Sequence, residues 1–437
     1  MNRCGESKSD EIHPGFDSSI RLDFQGAKTT SDAGFLLFRE VDQRFNILAP
    51  LAEDLCDSRS KSHTRHSYVQ MTRQRIYQIA AGYEDCNDAD FLRADPVLRL
   101  CMGKREKNGA GQSALSRLEN KVLGNTVGIS ALEKVLVRSA DACLTSYAKK
   151  SLLIIQQDST EDPAHGEQEQ VAYNGYFQST CFHPLFTFTS DGTCLAAKLR
   201  PGNVSSADGA RHMLQDVLRR YRHRYKKMWY RADAAFALPE IYGLCEKEGV
   251  TYFIRLPTNS VLKEYIEDDL ARPEMPVEKH HPVVRLLDFQ YIAKSWDKPR
   301  RVICKIEWHE GDLFPRVGFI VTNSKLSPEK VVKVYNARGD IENRIKEGKL
   351  TLRWDKTSCR KFAANEARLL MGIIAYNLLH LIRSRYMKGE PVRRSIEWII
   401  RRLVKVAARV SQHARRWYVH IASSFPLAHH YLAVFQT

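Results

Sequence analysis

Residues 152–158 read LLIIQQD, and this short apolar run, which ends in Asp158, decides the fold of the centre of the chain. Four to eight apolar residues between polar neighbours are typical of a buried β-strand. Similar patterns predict strands at 185–189 and 194–199, a helix at about 208–225, a strand at 228–233, a helix that ends at Gly249 and a strand at 252–256. A three-strand meander followed by helix, strand, helix and strand predicts a mixed α/β sheet.

The pattern changes on either side of this sheet. Residues 26–150 read mostly as helices; Asp95, for example, is placed to cap a helix that has Pro96 at its first position. Alternating apolar and polar residues predict strands near 301–308 and 316–321. We therefore expect a flexible terminus (1–25), a helical N-terminal domain (26–150), an α/β core (151–256 and 326–386), a β-rich insertion (257–325) and a helical, basic C-terminal region (387–437).

The chain is strongly basic. It has 67 Lys and Arg against 51 Asp and Glu, a formal net charge of +16 over 437 residues. Such a charge favours nucleic acid as the partner, although a solvated basic surface is the alternative. Because no run of about eighteen apolar residues is present and residues 1–7 lack the apolar core of a signal peptide, we expect a cytoplasmic protein without a membrane partner.

A glycine-rich turn at 109–113 separates two helical stretches of the N-terminal domain. Ser113 is placed to cap the second stretch, on which Arg117 and Lys121 are expected to be exposed. A helix, a turn and a basic helix in this order are typical of a motif that enters a DNA groove. An ordinary helical hairpin explains the pattern equally well.

Two acidic residues close predicted strands of the core. Asp158 ends the first strand and Asp233 ends the strand at 228–233. Carboxylates at strand ends can meet at one edge of a sheet, and their oxygens are the ligands that Mg²⁺ or Mn²⁺ prefers. Two such ions, about 4 Å apart, suit phosphodiester chemistry. Glu161 and Asp162 are rivals to Asp158, but they lie past the strand end.

A third acid is predicted on a helix after residue 328. At roughly 100° per residue, four polar residues fall in a stripe about 60° wide. They are Tyr335, Arg338, Glu342 and Lys349. Asp340 and Glu347 point away from this stripe, so Glu342 is the preferred third ligand. The alternative is an ordinary amphipathic helix with an Arg338–Glu342 pair.

The same four residues reproduce the Y-(2)-R-(3)-E-(6)-K signature of DDE transposases, and the chain resembles the transposase family named after insertion sequence 1380. Further family-like stretches are TSDAG at 30–34, YQIAAGYED at 77–85, LSRLEN at 115–120, DST at 158–160 with HG at 165–166, and FIVTN at 319–323. The likeness runs from about residue 30 to 426.

The resemblance implies a ribonuclease H-like catalytic core in which Asp158, Asp233 and Glu342 bind the metal. It also implies a β-rich insertion between the second Asp and the Glu, in agreement with the strand pattern of 257–325. The Tyr, Arg and Lys of the signature contact the phosphate backbone in such proteins. Tyr335, Arg338 and Lys349 are therefore expected to contact DNA.

Two other features are open to more than one interpretation. Some transposases of this kind stack an extruded base on an aromatic residue of the insertion, and Trp296, flanked by basic residues, is our candidate. The alternative places Trp296 and Trp308 in a small β core. The basic residues of 387–437 either grip DNA, form a dimer surface or are simply solvated.

Histidines give no sign of a structural metal. His63 with His66, the pair His280-His281 and the pair His429-His430 have no accompanying ligand cluster in the sequence. We therefore expect no structural zinc.

These observations predict a bacterial DDE transposase that acts on the nucleoid. It is expected to bind the terminal inverted repeats of an insertion sequence, to cleave double-stranded DNA and to join it to target DNA as a homodimer with two Mg²⁺ or Mn²⁺ ions. The alternatives are a metal-dependent nuclease or domesticated transposase without strand transfer, and a non-catalytic DNA-binding protein.

Overall fold

The computed structural model describes residues 16, 19, 22, 26–60, 62, 64–103, 108–145, 152–271, 282–387 and 389–436. Most of the predicted flexible terminus, together with His63 and His280-His281, lies outside these residues. The N-terminal part is helical, as predicted, after one short strand. Its elements are β1 (Thr29–Thr30), α1 (Phe35–Phe45), α2 (Ala49–Asp54), α3 (Tyr68–Ala80), α4 (Ala89–Leu92), α5 (Pro96–Cys101), α6 (Gln112–Arg117) and α7 (Thr126–Thr145).

Two capping predictions had different outcomes in this part. The Asp95 carboxylate accepts hydrogen bonds from the backbone N–H groups of Val97 and Leu98 and caps α5, as predicted. The Ser113 cap is wrong, because α6 begins one residue earlier, after Gly111 in an extended conformation. The helix then continues as one π-helical segment, Leu118–Leu123.

The centre of the chain forms an eight-stranded mixed sheet. Its elements are β2 (Leu152–Ser159), β6 (Leu185–Thr189), β7 (Cys194–Lys198), α8 (Ala210–Tyr221), β8 (Lys227–Ala232), α9 (Pro239–Lys247), β9 (Thr251–Leu256), α10 (Ser260–Glu264), β10 (Val283–Tyr291), β11 (Arg300–Trp308) and β12 (Arg316–Thr322). The spatial order is β10-β11-β12-β9-β8-β2-β6-β7. Strands β2, β8 and β9 run parallel, and the other neighbours are antiparallel. The predicted meander and the two later strands are confirmed.

Strands predicted for the insertion are also present, and they extend the central sheet. Strand β12 pairs with β9, with Phe319 opposite Leu256, so the parallel edge is covered by an antiparallel strand. Covering this edge satisfies the backbone groups of β9 that would otherwise be open to pairing with another chain. A separate three-stranded sheet, which the sequence did not indicate, lies between β2 and β6 in the chain. It consists of β3 (Asp162–Pro163), β4 (Ala172–Asn174) and β5 (Ser179–Phe182).

Helices cover both faces of the central sheet. Residues of α8 and α9 pack on one face. The other face carries Phe186 and Phe188 and packs against the N-terminal helices and the later helices. These are α11 (Pro328–Asn336), α12 (Gly339–Leu352), α13 (Phe362–Tyr386), α14 (Ile396–Ile399) and α15 (Ala428–Phe435).

Helix α13 is buried along most of its length and closes one edge of the sheet. The side chain of Asn377 accepts a hydrogen bond from the backbone N–H of Cys194 and donates to its carbonyl, so it pairs with β7 as a neighbouring strand would. Its amide also donates to the Ser139 hydroxyl on α7. One side chain therefore links the sheet edge to two helices.

The prediction of an entirely helical C-terminal region was wrong. Strands β13 (Ala408–His413) and β14 (Arg416–Ile421) form a hairpin, and β13 also pairs with β1. Ala414 and Arg415 both have positive φ, as a two-residue type I′ turn requires. The alternation of buried Ala408 and Val410 with exposed Arg409 marks the strand. The sequence interpretation missed it because the many arginines obscured this period of two.

Trp354 packs between two helices of this layer. Its indole ring stacks on Phe186 of β6 with 5.4 Å between ring centroids. A Cβ atom added to Gly348 of α12 would lie 2.4 Å from that ring, and one added to Gly372 of α13 would lie 2.8 Å from it. Trp354 therefore sets how closely α12 and α13 approach the sheet.

We predict opposite stability effects for two glycine-to-alanine changes in helices. Gly348→Ala should lower the free energy of unfolding by about 1–3 kcal/mol, because the added methyl overpacks the contact with Trp354. In Gly243→Ala, in α9, the added methyl group has no atom within 4 Å. This change should raise the free energy of unfolding by about 1 kcal/mol, because alanine has the higher helix propensity. Urea unfolding of both variants measures this; equal effects would contradict the role of Trp354.

Candidate metal-binding site

The first two acids lie on neighbouring parallel strands. Strands β2 and β8 pair in register from Leu152 opposite Lys227 to Gln156 opposite Arg231, so both strands end at the same edge of the sheet. Asp158 lies two residues beyond this pairing, near the end of β2, and Asp233 directly follows β8. The order of strands therefore brings the two carboxylates to one edge, as the sequence analysis expected.

Local hydrogen bonds hold both carboxylates. An Asp158 oxygen accepts the backbone N–H of Ser159 at 2.9 Å. An Asp233 oxygen accepts the N–H of Ala235 at 3.0 Å and caps a short 3₁₀ helix, Ala234–Phe236. Asp158 is 8% exposed, and its position within a paired strand leaves it little freedom to move.

Glu342 lies in the first turn of α12, which docks on the core through Ile341 and Ile345. The side chain of Glu342 is 59% exposed. The other two acids of α12 have different surroundings, as helical phase predicts. Asp340 is exposed to solvent, and a Glu347 oxygen lies 3.3 Å from the guanidinium of Arg383. Glu342 is therefore the acid of α12 that lies beside Arg338.

Arg338 connects two of the three acids. Its guanidinium lies 3.5 Å from an Asp158 oxygen and 2.6 Å from a Glu342 oxygen. In this conformation the three carboxylates are not all within 4.8 Å of one another. The guanidinium of Arg338 thus lies between Asp158 and Glu342.

The prediction of one continuous helix through the signature was wrong. The chain turns at Ala337 and Arg338, where the N–H of Arg338 bonds to the Tyr335 carbonyl at 2.8 Å, and α12 begins at Gly339. Tyr335 therefore lies on α11, half-buried against the cluster that contains Trp229 and Phe253. The backbone at Ala337 and Arg338 still turns in the right-handed sense. Arg338 therefore stays close to Glu342 although the helix is interrupted.

The electrostatics of the site show an excess of negative charge. Burial and the nearby Asp233 raise the pKa of Asp158 to about 7, although Arg338 acts to lower it. Burial also raises the pKa of Asp233. A single guanidinium therefore does not neutralise three carboxylates. An all-oxygen donor set with unbalanced negative charge fits a hard divalent cation.

The rival acids do not join this cluster. Asp162 lies in β3, and burial raises its pKa to about 7, but its charged neighbours include Asp355 and Lys349 rather than Asp233 or Glu342. A Glu161 oxygen accepts the Ser179 hydroxyl at 2.9 Å. Strand geometry therefore favours Asp158, the residue still within the sheet.

Lys349, predicted as a DNA contact, is held within the protein. Its ammonium donates to the Glu161 carbonyl at 2.7 Å and lies 3.5 Å from the Thr160 hydroxyl. It thereby ties α12 to the segment that follows Asp158. In this conformation Lys349 positions the two parts of the site.

Trp296 lies in the core of the insertion. It is 8% exposed and packs against Tyr242, Tyr291 and the guanidinium of Arg300. Trp308 is 4% exposed. This packing favours the alternative in which both tryptophans fill a β core, and base stacking on Trp296 stays a prediction.

The other predicted DNA contacts, Arg117 and Lys121, are exposed at the end of α6 and on the π-helical segment. Their contact with DNA stays a prediction. Their side chains are open to solvent on the helix that follows the glycine turn.

The sequence analysis missed Arg231. This side chain is buried in β8 and donates to the carbonyl of Val334 on α11 at 2.8 Å. Burial lowers its pKa to about 10. It joins the strand before Asp233 to the helix before Arg338. The available signal was a charged residue inside an otherwise apolar strand.

Comparison with known proteins identifies the family of the chain. A family described as "Transposase DDE domain group 1" matches residues 12–437. The chain belongs to this transposase family. No curated protein matches the chain. A solved structure, the cryo-EM structure of the piggyBac transposase synaptic complex with hairpin DNA, matches with a TM-score of 0.45 and 11% identity, over 86% of this chain and 81% of that one.

Transposase DDE proteins use divalent metal in general. Among the described residues, no helix is long and apolar enough to cross a membrane.

We predict that Mn²⁺ binding competes with a proton on Asp158. A carboxyl group with a pKa of about 7 is mostly protonated at pH 6 and mostly ionised at pH 8, so affinity for Mn²⁺ should rise across this range. Isothermal titration at several pH values measures it. Asp158→Asn should abolish most of the affinity.

Asp162→Asn is the matched control for this titration. Burial raises the pKa of the Asp162 carboxyl to about 7 as well, but Asp162 lies outside the acidic cluster. The variant should keep the affinity and its pH dependence. Loss of Mn²⁺ binding in Asp162→Asn with retention in Asp158→Asn would reverse the assignment.

Proposed function

We propose that this transposase binds the terminal inverted repeats of an insertion sequence, cleaves the DNA there and joins the freed end to target DNA. Asp158, Asp233 and Glu342 would hold the metal, with Mg²⁺ or Mn²⁺ as the ion. The observation that supports this most is the grouping of these three acids around Arg338 at the ends of β2 and β8 and the start of α12.

The fold supports a ribonuclease H-like core. The core strands lie in the order β7-β6-β2-β8-β9. Strand β6 is antiparallel to its neighbours β2 and β7, whereas β8 and β9 run parallel to β2. This arrangement supports the ribonuclease H-like core that we propose for residues 151–256 and 326–386. The family-like stretches at 30–34, 115–120 and 319–323 further support membership of the family named after insertion sequence 1380.

The chain's own residues have separate roles in the proposed reaction. Two bound ions would activate a water or a 3′ hydroxyl and stabilise the leaving oxygen of an in-line displacement. Asp158 must first lose the proton that its raised pKa retains. Glu342, exposed and paired with Arg338, would turn toward the aspartates.

Arg338 is the residue whose partner would change. A guanidinium that neutralises Asp158 and Glu342 is no longer needed there once cations are present, and it is then available to a phosphate of the DNA backbone. Tyr335, at the end of α11, and the exposed Arg117 and Lys121 complete the proposed DNA contacts. Binding both ends of an element calls for two copies, so we propose a homodimer on DNA.

Glu342→Gln tests the triad. The amide keeps the size of the side chain and removes its charge, so DNA binding should persist while Mg²⁺-dependent cleavage falls by more than about 100-fold. Cleavage of labelled DNA that carries the element end measures activity, and mobility shift measures binding.

Asp340→Asn is the control for this variant, since Asp340 lies two residues away on the exposed side of α12. It should retain cleavage. A Glu342→Gln protein that cuts as well as the parent would reject the proposed triad.

A double variant tests the proposed N-terminal contact. Arg117→Ala with Lys121→Ala should weaken DNA binding and lower the slope of log affinity against log salt by about 2, because each lost phosphate contact contributes about 0.9. Lys134→Ala is the control; this exposed lysine is paired with Asp54 at 2.8 Å. Equal effects of the two changes would point to general charge instead.

A further inference from the structure

The C-terminal part of the chain brings together a group that the sequence analysis did not foresee. Glu390 lies beyond the end of α13, and His429 and His430 lie in the first turn of α15. One ligand atom from each residue lies within 4.8 Å of the others. The expectation that His429-His430 lack an accompanying ligand was wrong, because the partner is supplied from a distant part of the sequence.

His430 is the buried member of this group. It is 5% exposed, and its Nε2 atom lies 3.3 Å from a Glu390 oxygen. A ring nitrogen and a carboxylate oxygen this close together can bind the same cation.

Glu390 is oriented by another residue. Arg394 donates to one of its oxygens from Nε at 3.2 Å and from Nη2 at 3.0 Å. The guanidinium of Arg394 is itself placed over the ring of Trp398, 4.8 Å from its centroid. The other Glu390 oxygen is the one that lies toward His430. The carboxylate is thus held with one oxygen left for a further ligand.

His429 completes the group from the solvent side. Its ring centroid lies 4.0 Å from that of His430, and the residue is exposed. An exposed imidazole can rotate to a metal without disturbing the core. The site is therefore half-buried, with an open side from which an ion and a water can enter.

We propose that Glu390, His429 and His430 bind a single Zn²⁺-type transition-metal ion, which fastens α15 to the segment that follows α13. Two imidazoles and one carboxylate suit Zn²⁺ with a water in the fourth position, whereas Mg²⁺ prefers oxygen ligands alone. This ion is distinct in chemistry and in position from those of the acidic triad. The inference does not depend on the proposed function.

The ion would act at the first turn of α15, beside other contacts that hold this helix. Tyr431 donates to the Leu403 carbonyl at 2.6 Å, and Val434 packs in the main core. Helix α15 contacts α1 and α13, so a metal at its first turn would stabilise the contact between the two ends of the chain. We expect zinc to raise the midpoint of thermal unfolding of the full chain.

Zinc titration of the metal-stripped full-length protein in excess Mg²⁺ tests the proposal. Mg²⁺ occupies all-oxygen sites and leaves imidazole sites free, so one Zn²⁺ should bind. His430→Ala should weaken this binding by at least about tenfold. His420→Ala, which removes an exposed imidazole on β14, should have no effect.

Two more variants keep the test decisive if His430→Ala fails to fold. His429→Ala removes an exposed ligand, and Glu390→Gln removes a charge at constant size; each should also weaken Zn²⁺ binding by at least about tenfold. Unchanged affinity in both would overturn the proposal. So would zinc binding that is lost in Asp158→Asn with Glu342→Gln but kept in His429→Ala, because the ion would then belong to the triad.

Discussion

The contact of Trp354 with two glycines and a phenylalanine fixes the geometry on which the proposed active site depends. Phe186, on which the indole stacks, is the residue opposite Asp158 in the pairing of β2 and β6. Gly348, against which the ring packs, belongs to the same helix as Glu342. A rigid aromatic contact therefore relates the strand that carries one acid to the helix that carries another. Close packing of this kind transmits small displacements instead of absorbing them.

The charges of the site oppose the stability of the metal-free fold. Asp158 has a raised pKa in the folded chain, so the folded state binds its proton more tightly than the unfolded state does. Its contribution to stability is fully present below the unfolded pKa of about 3.8 and is lost as the pH rises through about 7. At higher pH the carboxylate is ionised among other acids, and a bound cation would relieve that repulsion. The same imbalance that weakens the fold makes the site attractive to metal.

Sequence predicted those parts of the site that depend on short-range patterns. Asp158 and Asp233 were found because each ends an apolar strand, and parallel pairing then places them together. Glu342 was found because helical phase separates it from Asp340 and Glu347. Its role as a ligand remains a prediction, and so does the role of the aspartates.

Long-range packing decided what the sequence did not reveal. Lys349 shares the helical stripe of Glu342, but the loop after β2 folds back to accept its hydrogen bonds. Trp296 has basic neighbours in sequence, yet its ring meets Tyr242 from α9. Glu390 reaches His430 across about forty residues of chain that include an unpredicted hairpin. None of these contacts has a local periodicity that a sequence pattern could report.

If one acidic site both cuts and joins DNA, a strand-transfer assay should show both steps with the same protein. The substrate is a labelled oligonucleotide carrying the inverted repeat that flanks the coding region, incubated with a supercoiled target plasmid and Mg²⁺. We predict joined products with the parent protein and none with Asp158→Asn. Cut ends without joined products would indicate a nuclease instead of a transposase. Joined products with Asp158→Asn would contradict the assignment of Asp158 to the active site.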